Sequence, residues 1–256
     1  VTEATDPRPF RLAYVPGVTP TKWVRIWNER VTGTPLDLVA VDAADAADAL
    51  RDGRADVALL RLPVDRDGLS AISLYDEVPV VVVPKDHVFT AADEVALADL
   101  ADELLLDPLD VQLVWDVLPG RAANDRPATT ADAIELVAAG VGVLVVPMSL
   151  ARLHHRKDLT YRPVAGAPES RIALSWPEDR TTGLVEEFIG IVRGRTANSS
   201  RGRTPHETPK TKVRKQAAVT KAAKSPDPRR GGKPSGKPGG KPGAKGKPKP
   251  GGRKRR

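Results

Sequence analysis

Hydrophobic positions along the first 195 residues recur with two alternating periods. Arg11–Val15 is a short apolar run closed by Pro16-Gly17. Lys22–Val31 then sets Trp23, Ile26, Trp27 and Arg30 at helical spacing, with Gly33 and Pro35 ending it. Leu36–Val41 predicts a strand, Asp42–Arg51 an Ala- and Asp-rich helix ended by Gly53, and Ala55–Leu62 a strand stopped by Pro63. Leu74–Val83 is a nearly continuous valine run, the pattern of one strand buried on both faces. A second series follows. It has a short helix at Leu97–Glu103, a strand at Leu104–Leu106, a helix at Val111–Val117 and a loop over Leu118–Pro127. Thr130 stands at an N-cap position before Ala131–Ala139, with Gly140 at the C-cap. Val141–Val146, Leu159–Val164 and Ser170–Trp176 predict strands, and Ser149–His155 and Thr182–Val192 helices. Strand and helix in alternation predict an α/β fold with largely parallel sheets.

The pattern stops near Thr196. Residues 201–256 have no Phe, Trp or Tyr, 9 Pro and 10 Gly, and Gly231–Gly252 repeats a Gly-Lys-Pro theme. Such a segment buries too little apolar surface to offset its ordering entropy, so the expectation for 196–256 is a disordered basic tail. Charge divides at the same place. Positions 201–256 hold 20 basic residues against 2 acidic, a net of +18, whereas 1–200 hold 20 against 31, a net of −11.

Composition removes several chemistries. The chain has no cysteine, which excludes disulfides, thiolate metal sites and a Cys nucleophile. No apolar run reaches the roughly 18 residues that span a bilayer. The start, Val1-Thr-Glu-Ala-Thr-Asp-Pro-Arg-Pro, lacks the charged-then-apolar order of a secretory signal, so the expected setting is cytoplasmic, with no membrane partner. Gly-x-Ser-x-Gly, P-loop and Gly-x-Gly-x-x-Gly motifs are absent, so no enzyme and no cofactor are expected. His154 and His155 are adjacent and cannot share one metal ion; with Arg152, Arg156 and Lys157 they read as solvated basic surface, and no metal is expected. His87 reads as structural, Trp23 and Trp27 as packing, and Asp42, Asp45 and Asp48 as an acidic helix face.

The order of elements resembles the effector-binding domain of LysR-type transcriptional regulators, a two-lobed fold similar to periplasmic solute-binding proteins. Phe10–Pro16 matches the first strand, and Ala49–Arg61 the family's leu-x-x-gly-x-leu-asp helix-to-strand turn. Val80–Val83 with Pro84-Lys85-Asp86-His87 matches the strand leading between lobes; Leu97–Leu100 is a further signature. Val137–Pro147 is the most specific match, because a helix, a glycine turn and a valine strand must follow in that order. The resemblance covers about 10–195. It implies an N-terminal extension at 1–9, lobe I over about 10–84 and 163–195, and lobe II over about 85–162. The family's winged helix-turn-helix has no counterpart in the nine residues before Phe10, so the expectation is a sensor domain without sequence-specific DNA readout.

In a two-lobed α/β domain, ligands sit where helix N-termini and strand ends face the gap. The loop carrying Gly17, Val18, Thr19 and Thr21 offers backbone N–H groups, hydroxyls and a helix dipole suited to a small anion, and Thr129 and Thr130 open a second-lobe helix in the same way. The resemblance adds the turns at Arg61 and Asp107 to this gap, with Arg61 as a carboxylate partner. Each also has a plain structural reading: Thr130 as a helix cap, Arg61 as a surface charge. In the tail, Lys233, Lys237, Lys241, Lys245, Lys247, Lys249, Arg253, Lys254, Arg255 and Arg256 form an electrostatic footprint for polyanions, independent of sequence. The functional expectation is a transcription-related regulator that takes a small, anionic effector between its lobes, with the tail on nucleic acid and a homodimer plausible by resemblance. The alternative is a ligand-independent interaction module that pairs with LysR-type regulators or other partners, its tail bound to its own acidic body.

Overall fold

The computed structural model describes residues 8–195, which form two sheets joined by two chain crossings. In chain order the elements are β1 (Phe10–Tyr14), α1 (Thr21–Arg30), β2 (Leu36–Ala40), α2 (Ala46–Arg51), β3 (Val57–Leu62), β4 (Leu69–Glu77) and β5 (Pro79–Pro84). There follow β6 (Val95–Ala96), β7 (Leu104–Leu106), β8 (Arg121–Ala122), α3 (Thr130–Ala138), β9 (Val143–Pro147), α4 (Met148–Leu153), β10 (Leu159–Ala165), β11 (Ser170–Pro177) and α5 (Gly183–Val192). The first sheet runs β2-β1-β3-β11-β4 and the second β6-β10-β5-β9-β7-β8.

Both sheets are mixed. β1 pairs parallel with β2 and β3, but β11 runs antiparallel to β3 and β4, and β5 runs antiparallel to β9 and β10. The expectation of largely parallel sheets is therefore corrected, and the reason is the crossings. A chain that passes from one sheet to the other and returns must insert strands of opposite sense into each. The valine run read as one strand from Leu74 is two strands, one ending at Glu77 and the other starting at Pro79. Pro79 lacks the N–H a continued ladder needs, and Val78 carries the chain between sheets. The lobe boundary moves accordingly: Pro79–Pro84 lies in the second sheet, and Leu159–Ala165 pairs there too, so the crossings fall at Val78 and at 166–169.

Each sheet has its own core. Around the first, Phe10 stacks on Trp27 with ring centroids 4.5 Å apart, Phe188 of α5 tilts against both, and Trp23 packs at the margin, as expected of the two tryptophans. The second sheet is buried on both faces. Val80, Val82, Leu144 and Val146 meet α3 and α4 on one side, while Val81, Val83, Val143 and Val145 meet Phe89, Leu100 and Leu113 on the other. That two-sided burial explains the unbroken valines. Val111–Val117 forms no helix. Only Leu113 of this segment is buried, and three β-branched valines in seven residues lack both the packing and the propensity to hold a turn. His87 is structural, as read: its Nδ1 accepts from Phe89 N–H (3.3 Å) and Nε2 lies 3.4 Å from Glu103.

Candidate functional site

Two helix entrances carry most of the residues singled out from the sequence. At α1 the chain leaves β1 through Pro16-Gly17-Val18-Thr19-Pro20. Gly17 takes a φ of +85°, which a side chain would strain. Val18 is buried and donates its N–H to Val15 O (3.2 Å); Thr19 and Thr21 are exposed. Pro20 occupies the N-cap with no side-chain cap, and no acidic residue lies in the first turn. Trp23 and Val24 donate their N–H groups to Pro20 O (2.9 and 3.1 Å), so the N–H groups of Thr21 and Lys22 are the ones left without a side-chain cap, and no first-turn acid offsets the positive end of the helix dipole.

α3 is built otherwise. Its N-cap is Thr129, not Thr130: Thr129 Oγ1 accepts from Asp132 N–H (3.1 Å), and Asp132 Oδ2 accepts in return from Thr129 N–H (3.1 Å) and Oγ1–H (2.8 Å). This is a reciprocal capping box, and it places a carboxylate on the helix's positive end. Thr130 is buried one residue further in, and its hydroxyl donates to Asp110 Oδ1 (2.8 Å). The expectation that Thr129 and Thr130 present free hydroxyls to an anion is corrected, because both are already bonded to aspartates. Asp107 is held as well. Arg126 Nη2 lies 3.0 Å from its Oδ2 and donates to Pro108 O (3.0 Å). Asp107, Pro108, Val111, Trp115 and Thr130 line one small pocket of the second lobe, with room for about one water molecule.

Arg61 is neither a surface charge nor an open carboxylate receptor. Its side chain is 5% exposed and that of Glu77, on the far side of β11, is 4% exposed. Arg61 Nε donates to Glu77 Oε2 (2.9 Å) and Nη2 to Oε1 (3.4 Å); Ser170 Oγ–H donates to the same Oε2 (2.7 Å). Nη1 donates to Pro16 O (2.8 Å), beneath the α1 loop, and Nη2 to Ser149 Oγ (3.0 Å) at the start of α4. A buried ion pair persists when its remaining donors and acceptors are satisfied, as here. Burial, with the Glu77 carboxylate adding to it, lifts the neighbouring Tyr75 phenol above the ordinary tyrosine range. The carboxylate Arg61 was expected to seek in a ligand is thus supplied by Glu77.

The structure therefore gathers Gly17, Arg61 and Ser149 at one point, and Asp107 with Thr130 at another. Glu77, Ser149, Asp110 and Asp132 were missed in the sequence. For Asp132 a signal was present, Thr129-x-x-Asp132 before an apolar helix; for Glu77, an acid at the end of an alternating strand just before proline. The tail lysines and arginines from Lys233 to Arg256 lie outside the described residues. Among the described residues no helix is long and apolar enough to cross a membrane.

Comparison with known proteins adds the family context. The model "LysR substrate binding domain" matches residues 8–197. The Escherichia coli "Hca operon transcriptional activator HcaR" is 25% identical over 207 residues, 75% of this chain and 70% of its own length. A "Probable hydrogen peroxide-inducible genes activator" of Mycobacterium leprae is 33% identical over 182 residues, 65% of this chain and 58% of that protein. Both carry names of transcriptional regulators, not of enzymes. Among solved structures, the BenM effector binding domain with its effector benzoate aligns with a TM-score of 0.61 at 20% identity, over 73% of this chain and 91% of that one, a likeness of fold.

Proposed function

The chain belongs to the LysR substrate-binding-domain family, and from that premise we propose that residues 8–195 are the sensor of a transcription regulator whose effector is a small organic monoanion. The observation that carries this reading is the asymmetry of the two helix entrances. The uncapped, acid-free start of α1 accepts negative charge, and the capping box of α3 repels it. One carboxylate therefore docks at Thr19 and Thr21, and the remainder of the ligand is uncharged. Benzoate, the effector named for BenM, has this form. A peroxide response through thiol oxidation is closed to these 256 residues, which hold no cysteine.

The decisive experiment is thermal unfolding of the full chain against a panel of monocarboxylates with benzoate included. Saturable stabilisation that follows the logarithm of ligand concentration, and that Thr21→Asp abolishes, is the expected result. Equal stabilisation of the parent and of Thr21→Asp would remove the α1 site from the reading.

The same reading gives the domain a second copy or another regulator as its partner. It also makes the +18 segment at 201–256 a tether to nucleic acid in the cytoplasm. If half of the 20 basic residues met phosphates, binding to duplex DNA of scrambled sequence would fall with salt at a log–log slope of about −9. Fluorescence anisotropy on the full chain and a 1–200 truncation reads this directly. Equal binding by the two would locate the contact outside the tail.

A further inference from the structure

The Arg61 cluster stands at the junction between the lobes. Glu77 immediately precedes the crossing at Val78, and Ser170 immediately follows the return at 166–169; the two are direct partners in the β4–β11 ladder. Both covalent connections thus leave the first sheet beside one buried ion pair. From there Arg61 reaches Ser149, and this is the one side-chain hydrogen bond between lobes among the described residues. Ser149 is itself held at the junction, since the preceding residue, Met148, donates its N–H to Val78 O (2.9 Å). From the other side the α1 loop closes in: a Cβ on Gly17 would stand 2.6 Å from Ser149 Oγ and 3.0 Å from Arg61 Nη2. The hydroxyl of one lobe is enclosed between a fixed guanidinium and a bare glycine of the other.

We propose that the Arg61–Ser149 hydrogen bond, seated against Gly17, is an interlobe latch that sets the angle between the two lobes. Its parts are unequal in a useful way. Arg61 keeps Glu77 and Pro16 O when Ser149 departs, so release orphans no buried charge and breaks one hydrogen bond only. The lobes pivot on the crossings at Val78 and 166–169, while the ion pair remains with the first sheet. A latch of this kind gives two discrete arrangements, which is what a ligand between lobes needs in order to shift a population. The proposal stands on the junction geometry and requires no particular effector.

A chain without cysteine makes the test direct. Asn28→Cys on α1 and Lys157→Cys after α4, both at exposed positions, place one spin label on each lobe of the full-length protein. Pulsed electron resonance then reads the interlobe distance. Ser149→Ala, which deletes the hydroxyl and leaves the buried pair intact, is expected to lengthen the mean distance and widen its distribution. Thr129→Ala, confined to the second lobe, is expected to leave the distribution where it was. Gly17→Ala, pressing on Ser149 from the opposite side, is expected to shift the mean in the same direction as Ser149→Ala. Should strain at φ +85° prevent it from folding, Ser149→Ala decides alone. A Ser149→Ala distribution that superimposes on the parent's overturns the latch.

Discussion

The entrances to α1 and α3 look alike as sequence, each a turn bearing threonines before an amphipathic helix, and they differ in what completes them. α3 is finished internally: Thr129 and Asp132 bond each other, and Thr130 is bonded to Asp110. α1 is left open, with proline at its cap, tryptophan (Trp23) where an acid would complete a box, and its loop carbonyl held from below by Arg61. The lesson is that a threonine before a helix is not in itself a ligand group. An acid three residues on makes it part of the scaffold, and the lack of one leaves the helix end with unpartnered N–H groups.

The comparison extends to what supports each entrance, and the largest effect is expected there. Glu77→Ala leaves the Arg61 guanidinium buried without its carboxylate beneath the α1 loop, a loss of about 3–5 kcal/mol in unfolding free energy. Asp110→Ala removes the partner of Thr130 at an exposed loop, a loss of about 1 kcal/mol. Urea denaturation of the two variants beside the parent measures both. Equal losses would mean that the entrances are supported alike, and the contrast between them would fail.

A smaller effect separates scaffold from site. Thr129→Ala deletes the acceptor of the capping box and is expected to cost about 1 kcal/mol while leaving carboxylate-dependent stabilisation intact. Thr19→Ala, at an exposed position outside any cap, is expected to leave unfolding within about 0.5 kcal/mol and to weaken carboxylate binding. A crossed result, with Thr129→Ala abolishing binding and Thr19→Ala neutral to it, would exchange the roles of the two helices.

How far this contrast could be read in the sequence depends on the range of the interactions behind it. Element order was legible because strand and helix periods are local, and so was the Val137–Pro147 unit, whose Gly140 takes φ +73° after α3. The two-part nature of the valine run was marked by Pro79, but the burial pattern concealed it. An edge strand that alternates passes without a gap into a central strand buried on both faces. The partner of Arg61 was not legible, because Glu77 lies 16 residues away and is brought close only when β3 and β4 flank β11. Ser149, 88 residues from Arg61, is beyond any local signal. The α1 loop was legible as an uncapped helix entrance by its own composition, with Pro20 at the cap position and no acid in the turn that follows. The α3 residues were misassigned because a local signal, the acid at 132, was passed over in favour of the hydroxyls.

The smallest effects should be the same in both lobes, which sharpens the contrast by showing where it does not apply. In the first lobe Arg171 lies directly across the ladder from Asp76, and its Nε–H donates at 2.6 Å. In the second, Arg156 donates to both oxygens of Asp158 at 3.0 Å. These hydrogen bonds hold each carboxyl below the usual aspartate range. A carboxyl whose folded value is lowered contributes stability above its unfolded value of about 3.9, and that contribution is lost as pH falls through the folded value. Asp76→Asn and Asp158→Asn are therefore each expected to lower the unfolding midpoint slightly near neutral pH, since both pairs are exposed to solvent screening. The deficit should shrink from about pH 5 downward and vanish once the parent's own aspartate is protonated. Unfolding midpoints collected across that range test it. A deficit that persists unchanged in strong acid would assign the cost to side-chain packing and not to charge. A deficit in only one lobe would show that the asymmetry of the helix entrances extends to the surface pairs as well.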